Sequence, residues 1–271
     1  MKTSLPYEIH VTVEEGYVNP FKVACLALGV KPLLIQAQRD GEYDMESFED
    51  LQTSSVIRGT LSDVWAELDR IREGLTEAGF TVIREKVETC PEYPDAPALS
   101  KESQEMPIGC YFEAHIPVEM PNDSWLESRL EHLGEIAKQH SAHLSRNAFK
   151  AEEEVAIFMV TLRDHHSPLE GFEWAKCKLE DCLYSEGFNT ASPFSPIIEF
   201  VVHDTNLAHD DKWIGKGTGL ESTDLSKRIT DLKVTDPDDP KQQLKDLEET
   251  IRKLKLEAYV ANRQLPLHPP E

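Results

Sequence analysis

The 271-residue chain predicts an α+β protein of two tandem ferredoxin-like (βαββαβ) repeats with a helical C-terminal extension, and three observations lead there. The phrase YEIHVTV at 7–13 returns as FEAHIPV at 112–118, both reading aromatic, Glu, any, His, any, any, Val. Each phrase opens the same succession of period-2 and period-3.6 apolar patterns. Later landmarks also recur in order: Thr60-Leu61 with Thr161-Leu162, Gly79-Phe80 with Gly187-Phe188, and Glu85 with Glu199. Repetition of a whole unit outweighs any single motif.

In the first unit Ile9, Val11 and Val13 alternate with Glu8, His10 and Thr12, so the opening strand has an apolar and a polar face. NPFKVACLALGV follows as a helix, with Pro20 in its first turn and Gly29 at its end. KPLLIQA is a strand, 38–54 an acidic loop, and SVIRGTL the next strand. Ser62 or Asp63 caps a second helix in which Val64, Leu68, Ile71 and Leu75 recur at helical spacing. Gly79 ends that helix, and TVIREKVE closes the unit.

The second unit reads CYFEAHIPV, SWLESRLEHLGEIAKQH, AHLSRNAFK, VAIFMVTLR, PLEGFEWAKCKLEDCLYSEGF and SPIIEFVVHD as strand, helix, strand, strand, helix and strand. The repeats span 1–89 and 110–204, joined by a proline-rich polar linker at 90–109. Residues 205–271 form an extended segment and a helix over 241–262. Its stripe of Leu244, Leu247, Ile251, Leu254 and Ala258 suits a homodimer, a partner protein or docking on its own body.

With 50 acidic and 28 basic side chains the formal charge is -22, which repels nucleic acid. Five cysteines carry no CxxC or Cys/His zinc spacing. No apolar run approaches the ~20 residues that a membrane span requires. The expectation is a cytoplasmic protein without a membrane or nucleic-acid partner.

In a ferredoxin-like unit both helices cover one sheet face, so Glu8, His10, Thr12, Glu113 and His115 lie on the uncovered faces. The expected function is to bind, and if the protein is an enzyme to transform, a small anionic ligand in a cleft between the two lobes. His115, His10, Glu113 and Glu8 are the candidate catalytic residues, because imidazole exchanges protons near neutral pH. Arg163, Thr161, Arg146, Asn147 and Thr12 are the candidate ligand-binding residues, since a guanidinium fork matches carboxylate or phosphate. A salt bridge from Arg163 to Glu113 or Glu199 is the structural alternative. No cofactor is indicated and no metal ligands are assigned. The rival class is a non-catalytic interaction module acting through the C-terminal helix.

Three resemblances bear on this. His10-Val11-Thr12 resembles half of the 2H phosphoesterase pattern, but the second copy is His115-Ile116-Pro117, and proline offers a phosphoryl oxygen neither hydroxyl nor N–H. A first-strand His with a last-strand Glu, His10 with Glu85 and His115 with Glu199, resembles the metal set of the vicinal-oxygen-chelate family, whose module carries one helix rather than two. HLSRNAFK, VTLR and EFVVHDTN followed by Trp213 resemble the second half of an uncharacterised family of bacterial proteins with E-x-H on both first strands, over most of residues 5–215. That resemblance implies Arg146, Asn147, Arg163, Asp204, Asn206 and Trp213 as signature positions and brings no established activity.

Overall fold

The computed structural model describes residues 5–37, 48–94, 96–98, 105–150, 154–190 and 197–212. The expected helix at 241–262 and Trp213 lie outside the described residues. The first half runs β1 (Leu5–Val13), α1 (Val18–Leu28), β2 (Lys31–Ala37), β3 (Phe48–Gly59), α2 (Leu61–Glu77) and β4 (Val82–Thr89). The second runs β5 (Tyr111–Pro121), α3 (Leu126–Gln139), β6 (His143–Asn147), β7 (Val155–Asp164), α4 (Leu169–Ser185) and β8 (Ile197–Asp204), with short 3-10 turns at Ala148–Lys150 and Leu207–Lys212.

These halves do not stand as two tandem ferredoxin-like lobes, and that expectation is corrected. The strand order β1-β3-β2-β6-β7-β5-β8-β4 closes one eight-stranded antiparallel barrel. The reason lies at the sheet edges. A separate four-stranded sheet would leave β2 and β4 with unpaired backbone groups, which are costly to leave open. Here β2 pairs β6 (Ile35↔Asn147 to Ala37↔Ser145) and β4 pairs β8 (Lys86↔Asp204 to Thr89↔Phe200), so both edges disappear. Period-2 alternation is the same for an open sheet with a wet polar face and for a barrel with a polar lumen.

Two local expectations also shift. The acidic loop expected at 38–54 gives way from residue 48 to β3, whose early residues pair with β2 (Ala37↔Phe48, Leu33↔Gln52). Thr60, rather than Ser62 or Asp63, caps α2. Its Oγ1 accepts the Asp63 N–H while the Asp63 carboxylate accepts the Thr60 N–H at 2.7 Å, a capping box with Asp63 as its third-position member.

Apolar side chains lie between strands and helices in two clusters. Ile9, Val11, Phe21, Leu68 and Ile71 pack in one, and Phe112, Ile116, Phe158, Phe172 and Phe200 in the other. The alternate strand positions therefore face the lumen, and most of those on β1, β4 and β5 are polar. Among the described residues, no helix is long and apolar enough to cross a membrane.

Candidate functional site

Glu8 and His10 of β1, Arg84, Lys86 and Glu88 of β4, Tyr111, Glu113 and His115 of β5, Thr161 and Arg163 of β7, and Glu199 of β8 share the lumen. The ladder fixes this set: Glu8 lies opposite Glu88, His10 opposite Lys86, Glu113 opposite both Arg163 and Glu199, and His115 opposite Thr161. A register shift where β4 meets β8 places Asp204 opposite Lys86 and brings it inward as well.

Each histidine stands between two carboxyl groups. His10 Nε2 lies 3.2 Å from Glu88 and 3.6 Å from Glu8, while Nδ1 donates to the Thr53 carbonyl at 2.9 Å. His115 Nε2 lies 2.9 Å from Glu113 and 3.7 Å from Glu199, while Nδ1 is 2.9 Å from Thr161 Oγ1. Because a carbonyl can only accept, His10 Nδ1 carries hydrogen and Nε2 is the atom aimed at the carboxylates. Two lone pairs cannot face each other at 3.2 Å, so a proton or a cation must lie between Nε2 and Glu88.

Charge in the lumen is unequally shared. Glu113 is fully buried and takes the guanidinium of Arg163 together with Lys86 Nζ at 3.1 Å. Lys86 also contacts Glu88. Burial alone would raise the Glu113 carboxyl, but Arg163, Lys86 and His115 outweigh it and hold the group well below its ordinary range. Glu199 shows the opposite result. Burial first, then the charge of Glu88, push it up to about 10 against the pull of Lys86, with Glu113 and Glu8 adding to the rise. Burial would lower His10, yet Glu88, by charge and hydrogen bond, together with Glu8 raises it overall.

Four carboxyl groups, those of Glu8, Glu88, Glu113 and Glu199, thus meet two permanent cations, Lys86 and Arg163. Arg84 is committed elsewhere: it donates to Asp204, which also accepts from Tyr111 Oη at 2.8 Å. The lumen opens at one end. Glu113 is sealed, the Glu8 and His115 side chains are about one-third exposed, and the inward-facing Val56 and Ile197 at the rim are 67% and 57% exposed.

The expected residues scatter around this centre. His10, Glu8, His115 and Glu113 converge, in a closed lumen and not in a cleft between lobes. Thr161 orients His115, and Arg163 neutralises Glu113 instead of presenting a fork to a ligand. Thr12 is buried opposite Arg84 and Gln52. Arg146 donates to Gln36 Oε1 at 2.8 Å, and Asn147 Oδ1 accepts the Phe149 N–H, so neither joins the cluster. The His10–Glu85 pairing fails because Glu85 has the wrong parity; it lies opposite Val11, 3.5 Å from Arg72 of α2. Glu88 takes that place. Its signal was present in TVIREKVE, where Arg84, Lys86 and Glu88 share one parity.

One donor atom from each of Glu8, His10 and Glu88 lies within 4.8 Å of the others, and the same holds for Glu88, His115 and Glu199. A surface cavity of about 610 Å³, bordered by Arg129, His132, Glu186 and Phe188, shares no residue with these trios.

No family model matches the chain, and no curated protein matches it. Similar solved structures include a protein assigned as a chlorite dismutase (12% identity, 74% of this chain and 96% of that one, TM-score 0.26). Two others are the ligand-free regulatory subunit of aspartate kinase from Thermus thermophilus (13%, 65% and 92%, TM-score 0.28) and an unknown protein from Galdieria sulphuraria (12%, 73% and 99%, TM-score 0.21). At these scores the likenesses assign no function.

Proposed function

We propose that the barrel lumen binds divalent metal, and that bound metal, rather than the protein's own cations, is what would hold a small anionic ligand. The observation that carries this reading is the convergence of His10 and His115 Nε2 on Glu88 and its neighbouring carboxylates. An anion entering the lumen alone would meet the carboxylates of Glu8, Glu88 and Glu113, with Arg163 already committed to Glu113. A cation meets complementary charge, and it needs only the space between donors about 2.0–2.2 Å from its centre. Imidazole and carboxylate donors without thiolate suit zinc, manganese or iron. Such an ion would supply Lewis acidity, while the partly exposed His115 can exchange protons with a ligand at the open end. The cytoplasmic location expected from cysteine usage remains part of this reading.

Thermal unfolding of the full chain with Mn²⁺, Zn²⁺ or EDTA tests it. A ligand at one hundred times its Kd stabilises by about 2.7 kcal/mol, equivalent to a rise of roughly 5–10 °C for a domain of this size. The wild type shows that rise and Glu88→Gln does not. Equal shifts in both proteins, or none in either, would overturn the reading.

A further inference from the structure

We infer that the lumen takes two divalent ions rather than one, bridged by Glu88, with a small oxyanion spanning both; this rests on the metal-binding reading above. The five donors do not collapse into a single set. They converge as two trios, Glu8–His10–Glu88 and Glu88–His115–Glu199, with Glu88 common to both. Each trio has one imidazole, and each imidazole has its Nδ1 satisfied by a neighbouring strand and its Nε2 aimed at a carboxylate, where a metal would replace a shared proton.

Glu88 is suited to the shared position. It is buried, its Oε2 faces His10, and its Oε1 lies against the Lys86 ammonium, which a second ion would displace toward Glu113. A carboxylate with one oxygen directed to each ion is the usual bridge in two-metal sites, which hold their ions about 3.5–4 Å apart. Glu113 is set apart from the ligand set because it takes the Arg163 guanidinium in addition to the Lys86 ammonium that it shares with Glu88.

Charge then specifies the third partner. With Glu199 deprotonated as a ligand, four carboxylates and two fixed cations leave an excess of negative charge that one divalent ion would cancel. A second divalent ion reverses the sign, and an exogenous anion such as hydroxide or phosphate restores balance. It would enter at the open end, where the Glu8 and His115 side chains are solvent-accessible. The ligand class is therefore a small oxyanion with two oxygens available to two metals.

The test is Mn²⁺ loading of the full chain, read by metal analysis after desalting and by electron paramagnetic resonance, followed by calorimetric titration with inorganic phosphate. The expected result is two Mn²⁺ per chain with a spin-coupled signal, and phosphate binding only to the loaded protein. His10→Gln and His115→Gln each retain one uncoupled ion. His10→Ala and His115→Ala repeat the measurement, with a cooperative unfolding transition required of each variant. One Mn²⁺ per wild-type chain, lost equally in either histidine variant, overturns the two-ion inference and leaves a single metal site standing. No bound Mn²⁺ in the wild type overturns the metal reading beneath it.

Discussion

The two histidines and their flanking carboxyl groups occupy matching ladder positions yet differ in how their charge is met. Glu8 corresponds to Glu113, His10 to His115 and Glu88 to Glu199, but the flanking positions differ. Lys86 stands opposite His10 where Ile197 stands opposite His115, and Arg163 stands opposite Glu113 where Val56 stands opposite Glu8. Each half contributes one permanent cation, and both reach Glu113. Glu113 is therefore a fixed structural anion, whereas Glu199 has no permanent cation of its own. One carboxyl, Glu113, is saturated while Glu199 lacks a counter-charge, and the metal-binding proposal places function where compensation is incomplete.

The largest break in that comparison comes from removing the saturated anion. Glu113→Ala takes the buried carboxylate from Arg163 and leaves Lys86 to Glu88, and breaking a buried ion pair costs about 3–5 kcal/mol. Glu8→Ala, at the partly exposed matching position, costs about 1 kcal/mol or less. Urea unfolding of both variants without metal measures the difference.

A second effect separates Glu199 from its neighbours. Its folded-state pKa, pushed up to about 10, lies above the ordinary 4.5, chiefly through burial and then through Glu88. A carboxyl shifted upward contributes stability that is fully present below the unfolded value and is lost as pH rises through the folded one. The metal-free chain therefore loses stability between about pH 4.5 and 10. His10, also raised, contributes with the same sign. Glu199→Gln flattens the slope in a pH series of denaturant midpoints; an unchanged slope would show that Glu199 is already compensated.

The smallest effect distinguishes the two Nδ1 anchors. His115 relies on the Thr161 hydroxyl, whereas His10 relies on the Thr53 backbone carbonyl, which survives side-chain substitution. Loss of a group that orients a metal-bound histidine weakens affinity about 10–100-fold. Thr161→Val weakens Mn²⁺ binding at the second trio by that order. Thr53→Val leaves affinity intact and costs about 1 kcal/mol of stability, through the lost Val11 N–H bond to its hydroxyl. Calorimetric titration of both variants checks the pair.

Much of the strand architecture was legible because alternation is local. Ile9, Val11 and Val13 against Glu8, His10 and Thr12 identify the faces of β1 without reference to any other strand. Barrel closure was not legible, since pairing of Gln36 with Arg146, or of Lys86 with Asp204, joins strands remote in sequence and leaves no periodic trace. That single omission displaced the chemistry. On open sheets Glu113 and Arg163 would be hydrated, with a guanidinium available to a ligand; inside a closed wall they neutralise each other. Glu88 was missed because the matching of Glu85 with Glu199 counted positions along the chain, while the ladder sets Glu8 opposite Glu88 and Glu113 opposite Glu199.

The most direct test of a metal-binding lumen is an anomalous difference map from a crystal of the full chain soaked in Mn²⁺. The account predicts density in the lumen within bonding distance of Glu88 and of His10 or His115 Nε2, absent in Glu88→Gln. Density confined to exterior carboxylates, with the lumen empty in the wild type, would contradict it.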